Sequence, residues 1–278
     1  MVATIFAPYD FARAVAGDLA AVTMLLPPAG ESHSFEPTPQ DIFKIRNCGV
    51  FVYVGGESDA WVERILSATD TSGMRVVTLM DCVDTVEEAL APGMEGDGGE
   101  AGLDEHVWTS PKNAKLITRK ISGAMCAADP ENAAAYRQNT EAYLAKLDAL
   151  DAAFREVADR SARKSIAFGD RFPFRYFADA YGLDYCAAFP GCSTETEASA
   201  NTVIGLIEKI KTEGIPVVFH AELSNRNMAD AIGRETGAKV LQLHACHNIS
   251  RADFEAGKTY LDLMADNLEA LKEALAAP

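Results

Sequence analysis

Histidine is scarce in this 278-residue chain: five side chains, against 41 acidic and 25 basic ones. No stretch approaches the roughly 18 uninterrupted apolar residues of a membrane-spanning helix, so no transmembrane segment is expected. The six cysteines (Cys48, Cys82, Cys126, Cys186, Cys192, Cys246) show no C-x-x-C spacing. That excludes a zinc ribbon and a thioredoxin-type redox motif, and leaves pairing and redox compartment open. Most read as small buried side chains. Basic residues are few enough to leave a net charge of −16, which argues against nucleic acid and creates a field that draws cations in. Between Val76 and Pro111 there is no Lys or Arg at all. A signal peptide is also missing, because Met1 runs directly into the strand-like Val2-Ala3-Thr4-Ile5-Phe6. The expectation is either a cytosolic protein or an exported one whose export segment is not part of this sequence.

What is present is organised around residues 129–161. Asp129-Pro130 is an N-cap followed by proline at the first helical position, where the missing N–H costs nothing. No Gly and no further Pro follows. Tyr136, Tyr143, Leu147, Leu150, Phe154 and Val157 form one apolar stripe at helical spacing. Thirty-odd residues at ~1.5 Å each predict a rod of roughly 45 Å.

On either side, short apolar runs alternate with helical patterns. Strands are expected at 2–7, 20–26, 49–54 and 75–79, with helices at 9–16, 39–47, 58–66 and 112–126. Beyond the rod, strands are expected at 165–168, 184–189, 216–220 and 239–243, with helices at 172–181, 202–212, 228–236 and 254–276. This alternation predicts an α/β protein with parallel sheets. The domain reading is an N-terminal α/β lobe at 1–128, a linking helix at 129–161 and a C-terminal α/β lobe at 162–278. Each lobe has about four parallel strands flanked by helices, and a cleft is expected between lobes joined by one rigid helix. Residues 91–105 hold five glycines and five acids with almost no apolar content, so they are expected to form an exposed flexible loop.

His33 follows the second strand, His106 precedes the helix at 112, and His244 and His247 follow the last strand. In open α/β sheets the loops after strand carboxyl ends converge on the ligand crevice. Imidazole is the commonest side-chain ligand for borderline divalent cations. Three loops could therefore close on one ion. His220 lies inside a strand pattern and reads as a packed or surface histidine.

Local sequence sharpens this. Gly30-Glu31-Ser32-His33-Ser34-Phe35-Glu36-Pro37-Thr38-Pro39 and Asp104-Glu105-His106-Val107-Trp108 resemble motifs of the metal-binding proteins of bacterial ABC importers for zinc and manganese. This ZnuA/TroA-like cluster is also called the lipoprotein-adhesin family. The likeness continues through Phe51-Val52-Tyr53-Val54-Gly55-Gly56, Thr109-Ser110-Pro111, Phe174-Arg175-Tyr176-Phe177 and Glu235-Thr236-Gly237, and into a tail with Tyr260, Met264, Asn267 and Leu271. It covers nearly the whole chain in order.

The resemblance implies two α/β lobes on one backbone helix with the metal held between them. It also implies an extracytoplasmic, lipid-anchored receptor that hands the ion to a membrane permease, acts as a monomer and has no catalysis of its own. By position, His33, His106 and His247 match family ligands. The remaining family ligand falls on Arg171, a permanent cation with no lone pair, which cannot ligate. His244 is the choice for the fourth place, with Asp170, Glu222 or a water as alternatives. Three or more histidines favour Zn²⁺ over the harder Mn²⁺. Two other classes remain. A zinc metallohydrolase would need Asp170 or Glu222 as its base, and it lacks H-E-x-x-H. A receptor for an organic metal chelate would leave His33 and His106 unexplained.

Overall fold

Parallel strands cannot be joined by tight hairpins, so each must be followed by a crossover, usually a helix. The computed structural model, which describes residues 1–31, 35–88, 102–191 and 198–276, shows that pattern twice. The first sheet contains β1 (Val2–Ala3), β2 (Thr23–Met24), β3 (Val50–Tyr53) and β4 (Arg75–Thr78) in the order β2-β1-β3-β4, all parallel. Helices α1 (Phe6–Ala16), α2 (Pro39–Arg46), α3 (Ala60–Ser67) and α4 (Pro111–Ala128) accompany it. Val50, Phe51 and Val52 are all buried, as expected where helices cover both faces of a parallel sheet. A reciprocal cap starts α2. Thr38 Oγ1 accepts from the Asp41 N–H at 3.2 Å, and Asp41 Oδ2 accepts from the Thr38 N–H at 3.1 Å.

The first strand is shorter than expected, and its helix starts at Phe6 rather than at 9. Pro8 suggests a break in the sequence, but it sits in the first helical turn, where proline is tolerated. Burial of Phe6, Phe11, Ala12, Val15 and Ala16 draws the turn inward. The Phe6 N–H, which has no intrahelical partner, donates to the carbonyl of His247 at 3.0 Å.

The second sheet contains β5 (Ser165–Phe172), β6 (Asp184–Pro190), β7 (Val217–His220) and β8 (Lys239–Gln242) in the order β6-β5-β7-β8, again parallel. Helices α6 (Arg175–Tyr181), α7 (Ala200–Glu213) and α8 (Asn227–Thr236) end at Gly182, Gly214 and Gly237, whose φ values of 60°, 61° and 78° give a left-handed stop. Strand β5 runs four residues beyond its expected end at 168. Its register with β6 shifts between Phe168 and Arg171, and pairing resumes at Arg171 opposite Phe189 and Phe172 opposite Pro190. That continuation delays α6 from its expected start at 172 to Arg175.

The rod is helix α5 (Ala133–Arg160), 28 residues and about 42 Å long. A 3-10 turn, Pro130–Asn132, precedes it. Asp129 does not cap a backbone N–H as expected. Its carboxylate instead accepts from Asn132 Nδ2 (2.8 Å) and Tyr136 Oη (2.7 Å). Tyr136, Tyr143, Leu147, Leu150 and Phe154 of the stripe are buried, and Val157 is half-buried. The expected closing helix at 254–276 is two helices, α9 (Arg251–Glu255) and α10 (Tyr260–Leu275). Gly257, at φ 76°, breaks it, and the Tyr260 N–H donates to Asp10 Oδ2 at 2.9 Å.

Two compact units result. One contains Met1–Thr85, Pro111–Ala149 and Cys246–Leu261; the other contains Val86–Ser110, Leu150–Ala245 and Asp262–Pro278. Helix α5 contributes to both, and the units interleave along the chain where the sequence reading has contiguous lobes. The fold class expected from the sequence is the one observed: two four-stranded parallel sheets flanked by helices, with one long helix. Of the acidic stretch 91–105, residues 91–101 lie outside the described residues, as does Cys192; none of the other five cysteines is in a disulfide.

Two glycines test the packing in opposite directions. A Cβ at Gly169 would lie 2.4 Å from Ala229 Cα of α8, whereas one at Gly205, inside α7, would meet nothing within 4 Å. Gly169→Ala should therefore destabilise by about 1–3 kcal/mol through overpacking. Gly205→Ala should stabilise by roughly 0.5–1 kcal/mol through helix propensity. Denaturant melts of the two variants should shift in opposite directions.

Candidate metal centre

His106 is fully buried, and one oxygen orients it. Asp104 Oδ1 accepts from the His106 backbone N–H at 2.8 Å and from its ring Nδ1–H at 3.0 Å. An ionised carboxylate can only accept, so the ring takes the tautomer with its proton on Nδ1 and its lone pair on Nε2. This carboxylate–imidazole pairing is the usual outer support of a metal-binding histidine. Asp104 is itself held, since its carbonyl accepts from Tyr176 Oη at 2.8 Å. Two residues after His106, the buried Trp108 donates from its indole N–H to the Ala245 carbonyl at 2.7 Å. Ala245 lies between His244 and His247 in the chain.

In the other unit, the backbone just after His247 is strapped to the turn leading toward position 33. Asn248 Nδ2 donates to the carbonyls of Pro27 (2.9 Å) and Gly30 (2.8 Å), and the Ala29 N–H donates to the Ile249 carbonyl (2.9 Å). Both strapped segments carry strained backbone: Ala29 has φ 66° and Cys246 has φ 57°, a left-handed conformation that side chains other than glycine rarely adopt. His247 itself is half-buried. His33 lies outside the described residues.

Asn267 of α10 clamps His244 by its backbone, accepting from its N–H at 2.6 Å and donating to its carbonyl at 2.8 Å. Its ring Nδ1 lies 3.2 Å from Gln242 Nε2, so the Gln242 amide donates onto that nitrogen. The two carboxylates held in reserve serve the backbone. Asp170 accepts from Arg171 N–H through Oδ1 (2.9 Å) and from Ala221 N–H through Oδ2 (3.0 Å), while Glu222 Oε2 accepts from Ala245 N–H at 2.6 Å. Among the described residues, no three His, Cys, Asp or Glu side chains are gathered in an arrangement that could hold a metal. A cavity of about 690 Å³ lies along α4 and α5 and is lined by Arg119, Ser122, Gly123, Cys126, Arg137 and Thr140, among others. It contains no histidine, so concavity alone does not mark the site. The supporting residues Asn248 and Trp108 escape a sequence search for ligands, whereas Asp104, two residues before a histidine, leaves a local signal.

Two four-stranded parallel sheets, each flanked by helices, and a long helix common to both units define the TroA-like class of binding proteins. The chain belongs to the ZnuA family: residues 1–274 match the family described as zinc-uptake complex component A, periplasmic. It is 31% identical to the zinc-binding lipoprotein AdcA of Streptococcus pneumoniae over 282 residues, covering 98% of this chain but 55% of that protein. The chain thus spans about half the length of this relative. Identity to the high-affinity zinc uptake system protein ZnuA of Bacillus subtilis is 30%, over 99% of this chain and 87% of the relative. The crystal structure of the Zn(II)-bound ZnuA-like domain of S. pneumoniae AdcA superposes with a TM-score of 0.81 at 30% identity, covering 99% of this chain and 97% of that one.

His220 is the buried histidine with a structural role. Its Nδ1 lies 2.8 Å from the Ala221 carbonyl, and burial pushes its pKa below the ordinary value, partly opposed by that hydrogen bond. A base whose folded pKa is depressed binds its proton more readily when unfolded. Stability is therefore undiminished above the unfolded value near 6.5 and declines as pH falls through it. Thermal melts from about pH 7.5 to 5 should show a steeper loss for the parent than for His220→Gln. Equal slopes would assign the acid sensitivity elsewhere.

Proposed function

We propose that this chain is the extracytoplasmic receptor of a zinc importer, binding one Zn²⁺ as cargo and delivering it to an ABC permease. The observation that carries the proposal is His106: a buried imidazole whose carboxylate partner sets the lone pair on Nε2. Membership of the ZnuA family and the zinc named for its relatives support the ion. His33, His106 and His247 are the proposed ligands, and His244 is the fourth candidate carried over from the sequence. A set rich in imidazole favours zinc, since Mn²⁺, the second choice, wants oxygen donors. The receptor reading rather than a hydrolase is supported by Asp170 and Glu222, the carboxylates a hydrolase would need as its base, which accept from backbone N–H groups instead. The relatives' names support an extracytoplasmic location, and a lipid anchor and a monomeric receptor belong to the same proposal. No helix among the described residues is long and apolar enough to cross a membrane.

Competition against a chelating indicator should find one zinc per chain. His33→Ala, His106→Ala and His247→Ala should each weaken binding by more than about a hundredfold, because a lost ligand removes a bond and the closed geometry. Parent-like affinity in both His33→Ala and His106→Ala would place the site elsewhere. Asp104→Asn should cost about ten- to hundredfold in affinity, since the carboxamide no longer enforces the tautomer. Unchanged affinity there would mean that the tautomer is set by another group.

A further inference from the structure

Tyr176 of α6 stands one step behind the supported histidine, and its phenol oxygen joins two backbone segments. The Val86 N–H donates to it at 3.2 Å, and it donates to the Asp104 carbonyl at 2.8 Å. A phenol can donate and accept together, so both bonds are made at once. Residues 86–88 and 102–104 also pair directly. The Asp104 N–H donates to the Val86 carbonyl at 2.9 Å, and the Glu88 N–H donates to the Gly102 carbonyl at 2.8 Å. Val86 and Asp104 are thus joined to each other and, again, through Tyr176.

The hydroxyl is set in a rigid frame. Tyr176 is buried, and so are Phe174, Phe177 and Tyr181 beside it in the chain. The Phe177 ring lies 4.9 Å from Phe154 of α5 in an edge-on contact and 4.9 Å from Tyr181, while Phe174 lies 5.1 Å from Phe168 of β5. Such contacts favour particular ring orientations beyond simple burial. All of these residues belong to one compact unit with Asp104 and His106.

From this frame the path to the imidazole is short. Tyr176 holds the Asp104 carbonyl, and Asp104 Oδ1 accepts from the His106 backbone N–H at 2.8 Å and from its ring Nδ1–H at 3.0 Å. A carboxylate directs a ring only if its own backbone does not turn. Here the N–H and the carbonyl of Asp104 are both engaged, the first by Val86 and the second by Tyr176.

We infer that Tyr176 is a positioning residue of the metal centre: it fixes Asp104, and through Asp104 the proton on Nδ1 and the aim of the His106 lone pair. The inference rests on the reading that His106 binds the ion. Acting through the carboxylate, Tyr176 loses its influence on binding once that carboxylate is gone. A tyrosine that merely supports the fold would act equally with and without it.

The test is a double-mutant cycle. Zn²⁺ affinity is measured for the parent, Tyr176→Phe, Asp104→Asn, the double variant and His106→Ala. Nitrogen NMR of the metal-free proteins reads which nitrogen of the His106 ring carries the proton. Phenylalanine keeps the buried ring, and melts of the metal-free proteins check that the fold is kept. Tyr176→Phe should weaken Zn²⁺ by about three- to tenfold, less than Asp104→Asn does, and populate both tautomers of His106. In the Asp104→Asn background the same change should cost less than about twofold. Equal losses in the two backgrounds would make Tyr176 a support of the fold and overturn the inference. Parent-like affinity in Tyr176→Phe, with the proton kept on Nδ1, would overturn it too. Lost binding in His106→Ala would leave the site reading standing in either case, and parent-like binding there would overturn both.

Discussion

The constraint on which the rest of this structure depends is that, among the described residues, the eight strands of the two sheets are parallel to their neighbours. A parallel strand cannot turn straight back, so every strand leads into a loop and then into a crossover. Loops that follow strand carboxyl ends are where α/β proteins gather their chemistry. The polar residues of interest obey this. His106 lies in the passage after β4, Asp170 and Arg171 in the terminal stretch of β5, Gly191 after β6, His220 at the end of β7, and His244 and His247 after β8. Position 33 follows β2. The sheets themselves are apolar frames, with buried clusters such as Val2, Leu25, Phe51 and Val62 in one and Ala167, Leu206, Val218 and Ile232 in the other.

Loops gain precision only if something fixes them, and here the fixing groups are mostly neutral side chains bonded to backbone. Asn267 closes two bonds on His244, Asn248 two on the turn before position 33, and Trp108 one on Ala245. Each such bond is worth about 1 kcal/mol net, and more would be lost if a buried partner were left unpaired. Left-handed Ala29 and Cys246 cost of order 1–3 kcal/mol each, and they persist because these straps over-determine the backbone around them. Strained backbone beside two candidate ligand positions fits a site whose geometry is set before the ion arrives.

Much of this was legible in the sequence because its signals are local. The stripe from Tyr136 to Phe154, the glycine stops at Gly182, Gly214 and Gly237, and the apolar run of β3 each declare themselves within a few residues. What failed was decided by distant partners or by local geometry that composition does not reveal. The start of α1 at Phe6 rather than at 9 was missed because the burial of Phe6 and Phe11 is invisible in a short window. The break at Gly257 is tied to Asp10, 250 residues away from Tyr260 in sequence. The return of Cys246–Leu261 to the first unit goes with the His247 bond to Phe6 and the Asn248 bonds to Pro27 and Gly30. Asp104, two residues before His106, was within reach of sequence reasoning.

Arg171 is where sequence and structure press hardest on each other. Two like unit charges about 6 Å apart at an effective dielectric constant near 20 repel by about 3 kcal/mol, and a divalent ion doubles that. If Arg171 stands at a ligand position, as the family resemblance implies, its guanidinium would do more than remove a donor: it would raise the demand for negative charge nearby. The adjacent Asp170 cannot meet that demand without releasing the N–H groups of Arg171 and Ala221, which hold the end of β5 and the loop after β7. A fourth imidazole would complete a tetrahedral set but bring no charge.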